Sequence, residues 1–156
     1  MEPGAYRVAR LEATVEALAG RSYPVWVAGL TPAVVRLAAA QADGWNRWGG
    51  GPAQFAAAAD RVRAEVVAAG RNPGPFAFTW GGLAVLAETA AEAEAKRDRL
   101  GGDQPGLVWG GPSEVADQIA AYAAAGATWV ILGPIDSSDP SNAELLGRAR
   151  ALLVAG

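Results

Sequence analysis

Apolar positions recur along the chain with two alternating periods. Val8, Leu11, Val15 and Leu18 keep the three-and-four spacing of one helical face within residues 5–19, and Gly20 ends that run. Tyr23 to Ala28 (YPVWVA) reads as a strand that is apolar on both faces, the pattern of a parallel strand covered by helices. Thr31 and Pro32 have the N-cap and first-turn chemistry that opens a helix over 33–42, which Asp43-Gly44 closes. Trp45-Asn46-Arg47-Trp48 is a short second strand running into Gly49-Gly50-Gly51. A long helix from Pro52 to Ala69 carries Phe55, Val62, Val66 and Ala69 on its inner stripe, and Gly70 to Gly74 stops it. The third strand is Phe76 to Ala87 (FAFTWGGLAVLA), where Gly81-Gly82 marks a bulge or a close backbone approach. Thr89 caps a polar helix, AAEAEAKRDRL, and the Gly-rich stretch GGDQPGLVWGG is read as a loop leading to Pro112 and a helix over 113–125. TWVIL, 128–132, is the fourth strand, 133–141 a loop and 142–154 a closing helix.

Four strands alternating with helices predict a parallel sheet with right-handed crossovers, hence an α/β fold. A complete eight-stranded βα barrel takes about 200–250 residues, and this chain has 156. It therefore holds about four βα units, half of a TIM barrel, with one extra helix at its start and another before its last strand. The expectation is a single domain over residues 1–156.

Composition narrows the chemistry. The chain has no Cys and no His, so thiol nucleophiles, Ser-His-Asp hydrolysis, Cys/His zinc sites and histidine acid-base catalysis have no donor within it. A formal net charge of −3 without any basic run argues against a nucleic-acid partner. The apolar stretches are short and interrupted, and the N-terminus lacks a hydrophobic signal core, so no membrane segment and a cytoplasmic location are expected.

Three stretches have residues suited to a ligand. In Val27-Ala28-Gly29-Leu30-Thr31 the glycine permits close backbone approach, while Thr31 and the first free amides of the next helix can donate to an anion such as phosphate. An ordinary strand-to-helix turn uses the same residues. In Asp43-Gly44-Trp45-Asn46 the indole could wall a flat ring and the amide could bond a ring edge, or Trp45 could simply plug the core. Gly110-Gly111-Pro112-Ser113-Glu114 is a second Gly-preceded helix start, although Glu114 would compete there with a bound anion. Thr79 to Gly82 offers a further polar strand position. Asp136-Ser137-Ser138-Asp139 reads as a capped turn, with too few ligands for a metal. The run Glu92, Glu94, Lys96, Arg97, Asp98, Arg99 reads as a solvated helix face with i to i+4 pairs.

The succession VWVAG, TP, LAAAQADGWN, AAGRNP, LAVLAETAAEAEAK and GGPSEVADQIAAYAAAGATWVIL resembles the carboxyl-terminal half of luciferase-like flavin- or deazaflavin-dependent oxidoreductases. It extends from Tyr6 to Leu132 and keeps order and spacing. The resemblance implies a half-barrel that binds FMN or the deazaflavin coenzyme F-420, with Ala28, Gly29, Leu30 and Thr31 against the cofactor phosphate. Trp45, Asn46, Gly110 and Gly111 complete the expected cofactor set, and no catalytic or metal-binding residue is assigned. Ala28 stands where the family has the first Gly of a VGG turn, and Gly111 where it has the Thr of a GTP turn. The family's amino-terminal strands have no counterpart here, so the expected partner is a second copy or another half-barrel. The alternative is a non-catalytic half with a structural or interaction role.

Overall fold

The computed structural model describes residues 3–155, with side chains described for residues 6–154. Six helices and five strands alternate: α1 (Pro3–Leu18), β1 (Trp26–Ala28), α2 (Pro32–Gln41), β2 (Gly44–Trp48), α3 (Pro52–Ala68), β3 (Ala77–Leu86), α4 (Ala90–Leu100), β4 (Val108–Gly110), α5 (Pro112–Ala124), β5 (Trp129–Pro134) and α6 (Ser141–Ala155). Every strand pairing is parallel. The arrangement is the expected α/β partial barrel, with one strand more than the sequence suggested.

β3 organises the sheet because both of its edges are bonded. Its odd-numbered residues face β2, with the Ala77 amide donating to Asp43 O and the Gly49 amide to Gly81 O. Its even-numbered residues face β5, where the Ile135 amide donates to Ala84 O. The Ala87 amide donates to Gly110 O, so β4 sits on the same edge as β2, beyond the point where β2 turns away at Gly49. This three-residue strand falls within the stretch GGDQPGLVWGG that pattern alone makes a loop. It exists because β3 runs on past the end of β2 and leaves backbone groups to be paired.

β3 is continuous through Gly81-Gly82, which pair in regular register with Trp48, Ile131 and Leu132. The expected bulge is absent, and the two glycines instead make room for indoles. A Cβ on Gly81 would lie 2.8 Å from the Trp48 ring, and one on Gly82 would lie 2.2 Å from the Trp80 ring. β1 is shorter than its apolar run, beginning at Trp26. Pro24 just before it has no N–H to offer a ladder, and Asp43 secures the strand's start by exchanging bonds with the Val25 amide and carbonyl at 2.8 Å each.

The two faces of the sheet differ. On one, Trp45 stacks on Phe55 of α3, the Arg63 guanidinium lies over Phe78, and Trp80 stacks on Tyr122 of α5 at 3.9 Å between centroids. Here lies the core, with Trp45, Trp80 and Phe55 wholly buried beside Ala58, Ala59, Val62 and Val66. Ala69, expected on that stripe, is exposed. Among the described residues, no helix packs on the opposite face. Trp26 of β1 and Trp129 of β5 meet across it at 5.7 Å. Strands three steps apart in a flat sheet are separated by about 14 Å, so the sheet curls toward this open side.

The polar helix α4 is less solvated than its sequence implies. Lys96 turns inward, its Nζ donating to Leu86 O at 2.9 Å and pairing with Asp136 at 2.6 Å and Asp139 at 3.4 Å. One ammonium thereby ties α4, the end of β3 and the β5–α6 loop. Glu92 serves as the capping partner of Thr89, and Arg97 lies over the Trp109 ring. Asp139 also accepts bonds from the Ser141 amide and hydroxyl, at 3.0 and 2.7 Å, so the expected capped turn is present.

Burial works against the charge on Lys96, but bonding and attraction from Asp136 and then Asp139 outweigh it and hold the group above its ordinary 10.5. The Ser141 bonds, with Lys96 adding to them, hold Asp139 below its ordinary 3.8. A carboxyl depressed on folding stabilises the protein above its unfolded pKa and loses that contribution as pH falls through the folded one. Lys96→Met leaves two carboxylates without their cation and is expected to cost about 2–4 kcal/mol, read from urea unfolding at pH 7. The stability gap between wild type and Asp139→Asn is expected to be constant from about pH 5 to 8 and to close below about pH 4; a gap that persists in acid would show that the Asp139 charge contributes nothing.

Candidate functional site

The loop after β1 is held from below. Gly29 adopts φ +147°, and a Cβ there would meet Val34 at 2.8 Å, so both backbone conformation and space require glycine. Its carbonyl accepts the Trp45 indole N–H at 2.6 Å, and its amide donates to Asn46 O at 3.3 Å. Trp45 therefore lies in the core and anchors this loop from beneath.

The helix start above the loop is chemically unlike the other strand-to-helix turns. Gln54 reaches back to the Gly51 amide at the start of α3, Glu92 to Thr89 at α4, and Glu114 to Gly111 at α5. At α2 the third helical residue is Val34, which has no acceptor to offer, and the Thr31 hydroxyl makes no capping bond. Among the described residues, no acceptor meets the amides of Thr31, Ala33 and Val34; the second and third helical residues are unmet at α3 and α5 as well, so the free Thr31 amide is what distinguishes α2. The positive end of α2 is thus left with free donors beside the exposed Leu30 and Thr31.

Gly110-Gly111 has the opposite character. The Gly111 amide is taken by Glu114 Oε2 at 3.1 Å, and Gly110 packs against the Glu114 side chain. An anion arriving there would meet a carboxylate. Nearby, the open groove of about 610 Å3 between α4, α5 and α6 is lined by Glu88, Thr89, Glu114 and Arg148, and Arg148 is already paired with Glu88 at 2.8 Å.

Trp45 and Asn46 are neighbours in sequence but point to opposite faces of β2, so they do not share a site. Asn46 lies on the open face, where its Nδ2 donates to the Thr79 hydroxyl at 2.7 Å and that hydroxyl donates to Trp45 O at 3.2 Å. This relay fixes the amide and leaves its Oδ1 without a protein donor among the described residues. Trp48, two residues further on, lies over Gly81 and is 60% exposed. The flat aromatic surface of the open face is therefore Trp48, which sequence reasoning passed over in favour of Trp45. Period-two alternation from Asn46 was the available signal, since residues two apart in a strand share a face.

The register gathers these groups. Ala28 pairs with Asn46, Asn46 with Thr79 and Thr79 with Trp129, while Trp48, Gly81 and Ile131 form the next row toward the strands' carboxyl ends. Ala28 thus continues directly into the Gly29 loop from the same row as Asn46. The loop after β2 is also firm, since Trp80 donates to the Gly49 and Gly50 carbonyls at 3.1 and 3.0 Å and the Tyr122 hydroxyl donates to Gly50 O at 2.9 Å. Burial pushes the Tyr122 phenol up, partly offset by Arg47, so this donor keeps its proton.

The luciferase-like monooxygenase sequence model matches residues 3–104. The chain belongs to that family. The GGPSEVADQ helix and the TWVIL strand, part of the resemblance, lie beyond the matched span. No sequence among the curated proteins matches the chain. Among solved structures it is similar to a riboflavin lyase (17% identity, TM-score 0.72, covering 83% of this chain and 42% of that one). It is also similar to a coenzyme F-420-dependent tetrahydromethanopterin reductase from Methanopyrus kandleri (17%, 0.63, 80% and 49%) and to an EDTA monooxygenase from Chelativorans (16%, 0.66, 85% and 44%). At these identities the likeness is one of fold. The chain spans less than half the length of each of these three proteins. No helix among the described residues is long and apolar enough to cross a membrane, and no group of His, Cys, Asp and Glu among them could hold a metal ion.

Trp45→Phe keeps the ring in the core but deprives the Gly29 carbonyl of its donor. The expected cost is about 1–3 kcal/mol, read from urea denaturation. Faster hydrogen exchange should accompany it at Gly29 and not at Val62; equal acceleration at both would mean that the bond does not anchor this loop.

Proposed function

We propose that this chain is the cofactor-phosphate half of a luciferase-like oxidoreductase of the monooxygenase type, taking FMN or the deazaflavin coenzyme F-420. The observation that carries the reading is the start of α2, where free amides and a backbone opened by Gly29 stand beside the uncovered face of the sheet. Phosphate suits such a terminus because the donors are already aimed and the helix dipole favours negative charge. Ala28, Gly29, Leu30 and Thr31 would hold it. Trp48 offers a plane for the ring and Asn46 Oδ1 an acceptor for a ring N–H, while Trp45 supports the loop from the core. Glu114 makes Gly110 and Gly111 a poorer phosphate site.

When bound, such a cofactor supplies hydride transfer or oxygen activation, and the protein's share is to bind, orient and exclude water. This chain's residues cover the phosphate side and one wall of the ring pocket. No ionisable side chain of β1, β2, β3 or β5 lies on the open face, so a group that moves protons would come from whatever completes the barrel. The same observation favours the second reading, a non-catalytic half that completes a partner. A single domain and a cytoplasmic location are part of the proposal.

Titration with FMN and with F-420, read by quenching of tryptophan fluorescence, tests it. Saturable quenching by one of them is expected. Gly29→Val should abolish it, because a side chain there meets Val34 and forces φ away from +147°. Trp48→Ala should weaken binding about tenfold, near 1.4 kcal/mol. No quenching and an unmoved melting temperature with both cofactors would leave the structural reading standing.

A further inference from the structure

We infer that the open face of the sheet is covered by a second copy of this chain, the two curled sheets closing a two-fold eight-stranded barrel; this extends the half-barrel reading above by naming its partner. By strand alternation the face presents Asn46, Trp48, Thr79, Gly81, Trp129 and Ile131 along its middle. None is charged, so a like copy meets no repulsion there. Trp48 and Trp129 are each 60% exposed and Ile131 43%, which is heavy exposure for large apolar side chains on one face.

The content of the layers gives the stoichiometry. An interior layer of a closed eight-stranded barrel is filled by four side chains. In this chain Trp26 and Trp129 meet at 5.7 Å although the register sets them one row apart, Trp26 with Gly44 and Ala77, and Trp129 with Thr79 and Asn46. A Cβ on Gly44 would fall 2.8 Å from the Trp26 ring, so the small residue is what admits the large one. The row beyond that of Trp129 carries Trp48 and Ile131 on alternate strands, on either side of Gly81. In that row one copy supplies two large side chains from alternate strands, and two copies supply the four of a closed layer.

The edges agree. Among the described residues β1 is bonded only to β2 and β5 only to β3, so each copy offers one free edge of each kind. A two-fold axis along the barrel pairs β1 of one copy with β5 of the other at both seams, so the eight barrel strands, β1, β2, β3 and β5 of each copy, close without an open seam, while the three-residue β4 stays on β3 outside the ring. The α2 terminus and Trp48 would then open onto an enclosed mouth, and the site would be complete only in the pair.

Sedimentation equilibrium of the chain without cofactor, from 1 to 100 μM, is expected to give twice the 15.9 kDa protomer mass. Tryptophan emission should shift to the blue as the pair forms. Ile131→Lys and Trp129→Lys place a charge on exposed positions of this face and should each return a monomer with unchanged circular dichroism. A monomer at 100 μM, an open polymer, or a pair that both variants leave intact would overturn the inference. Because cofactor is absent from this experiment, the two readings separate. A closed pair that binds neither FMN nor F-420 would sink the cofactor proposal alone, and a monomer that binds one of them would sink the pairing alone.

Discussion

The structure depends on β3 being hydrogen-bonded along both edges. A strand paired on one side only could slip, and a slip of one residue would exchange its two faces. Here β2 and β5 fix the register together, so Phe78 and Trp80 must enter the helical layer while Thr79 and Gly81 must face away from it. Every position of the candidate site follows from that choice. Asn46 and Trp48 share a face because β2 is registered on β3, and Ala28 joins them because β1 is registered on β2.

The helical layer meets this constraint with aromatic rings whose polar tips are all used. Trp45 bonds Gly29, Trp80 bonds Gly49 and Gly50, and Tyr122 bonds Gly50. Each of these three rings contributes apolar area to the core and supplies a donor to a loop carbonyl at the strands' carboxyl ends. The loops that would border a ligand are therefore held by the core, an economical way to stiffen a site built largely of glycine. Lys96 does the same work electrostatically, joining three segments through one ammonium that is mostly withdrawn from water.

Preorganisation of this kind suits a protein whose partner group performs the chemistry. The N-cap amide is taken by a side chain of the third helical residue at α3, α4 and α5 and is free at α2, which sets that helix start apart. The uncharged open face beside it is apolar enough to receive either a flat ring or another apolar sheet, and the two uses belong to different levels. The ring would occupy the carboxyl-end mouth near Trp48, while Trp26 and Trp129 fill the opposite end.

The sequence by itself determined the order and kind of nearly every element, because apolar period and turn chemistry are local. Val8, Leu11, Val15 and Leu18 announce α1, Thr89 with Glu92 announces α4, and the apolar run 128–132 announces β5. The half-barrel and its family were legible for the same reason. What only the tertiary structure decided is what depends on residues far apart in the chain. Val108–Gly110 is a strand because β3 outruns β2, and Gly81-Gly82 is unbulged because two indoles, one from β2, need the space. Lys96 leaves a solvated face because Asp136 and Asp139 arrive from forty residues later. The candidate site divides along the same line. The Gly29 loop could be read from its own residues, whereas the choice between Trp45 and Trp48 turned on which face of β2 meets α3, and that is set by packing.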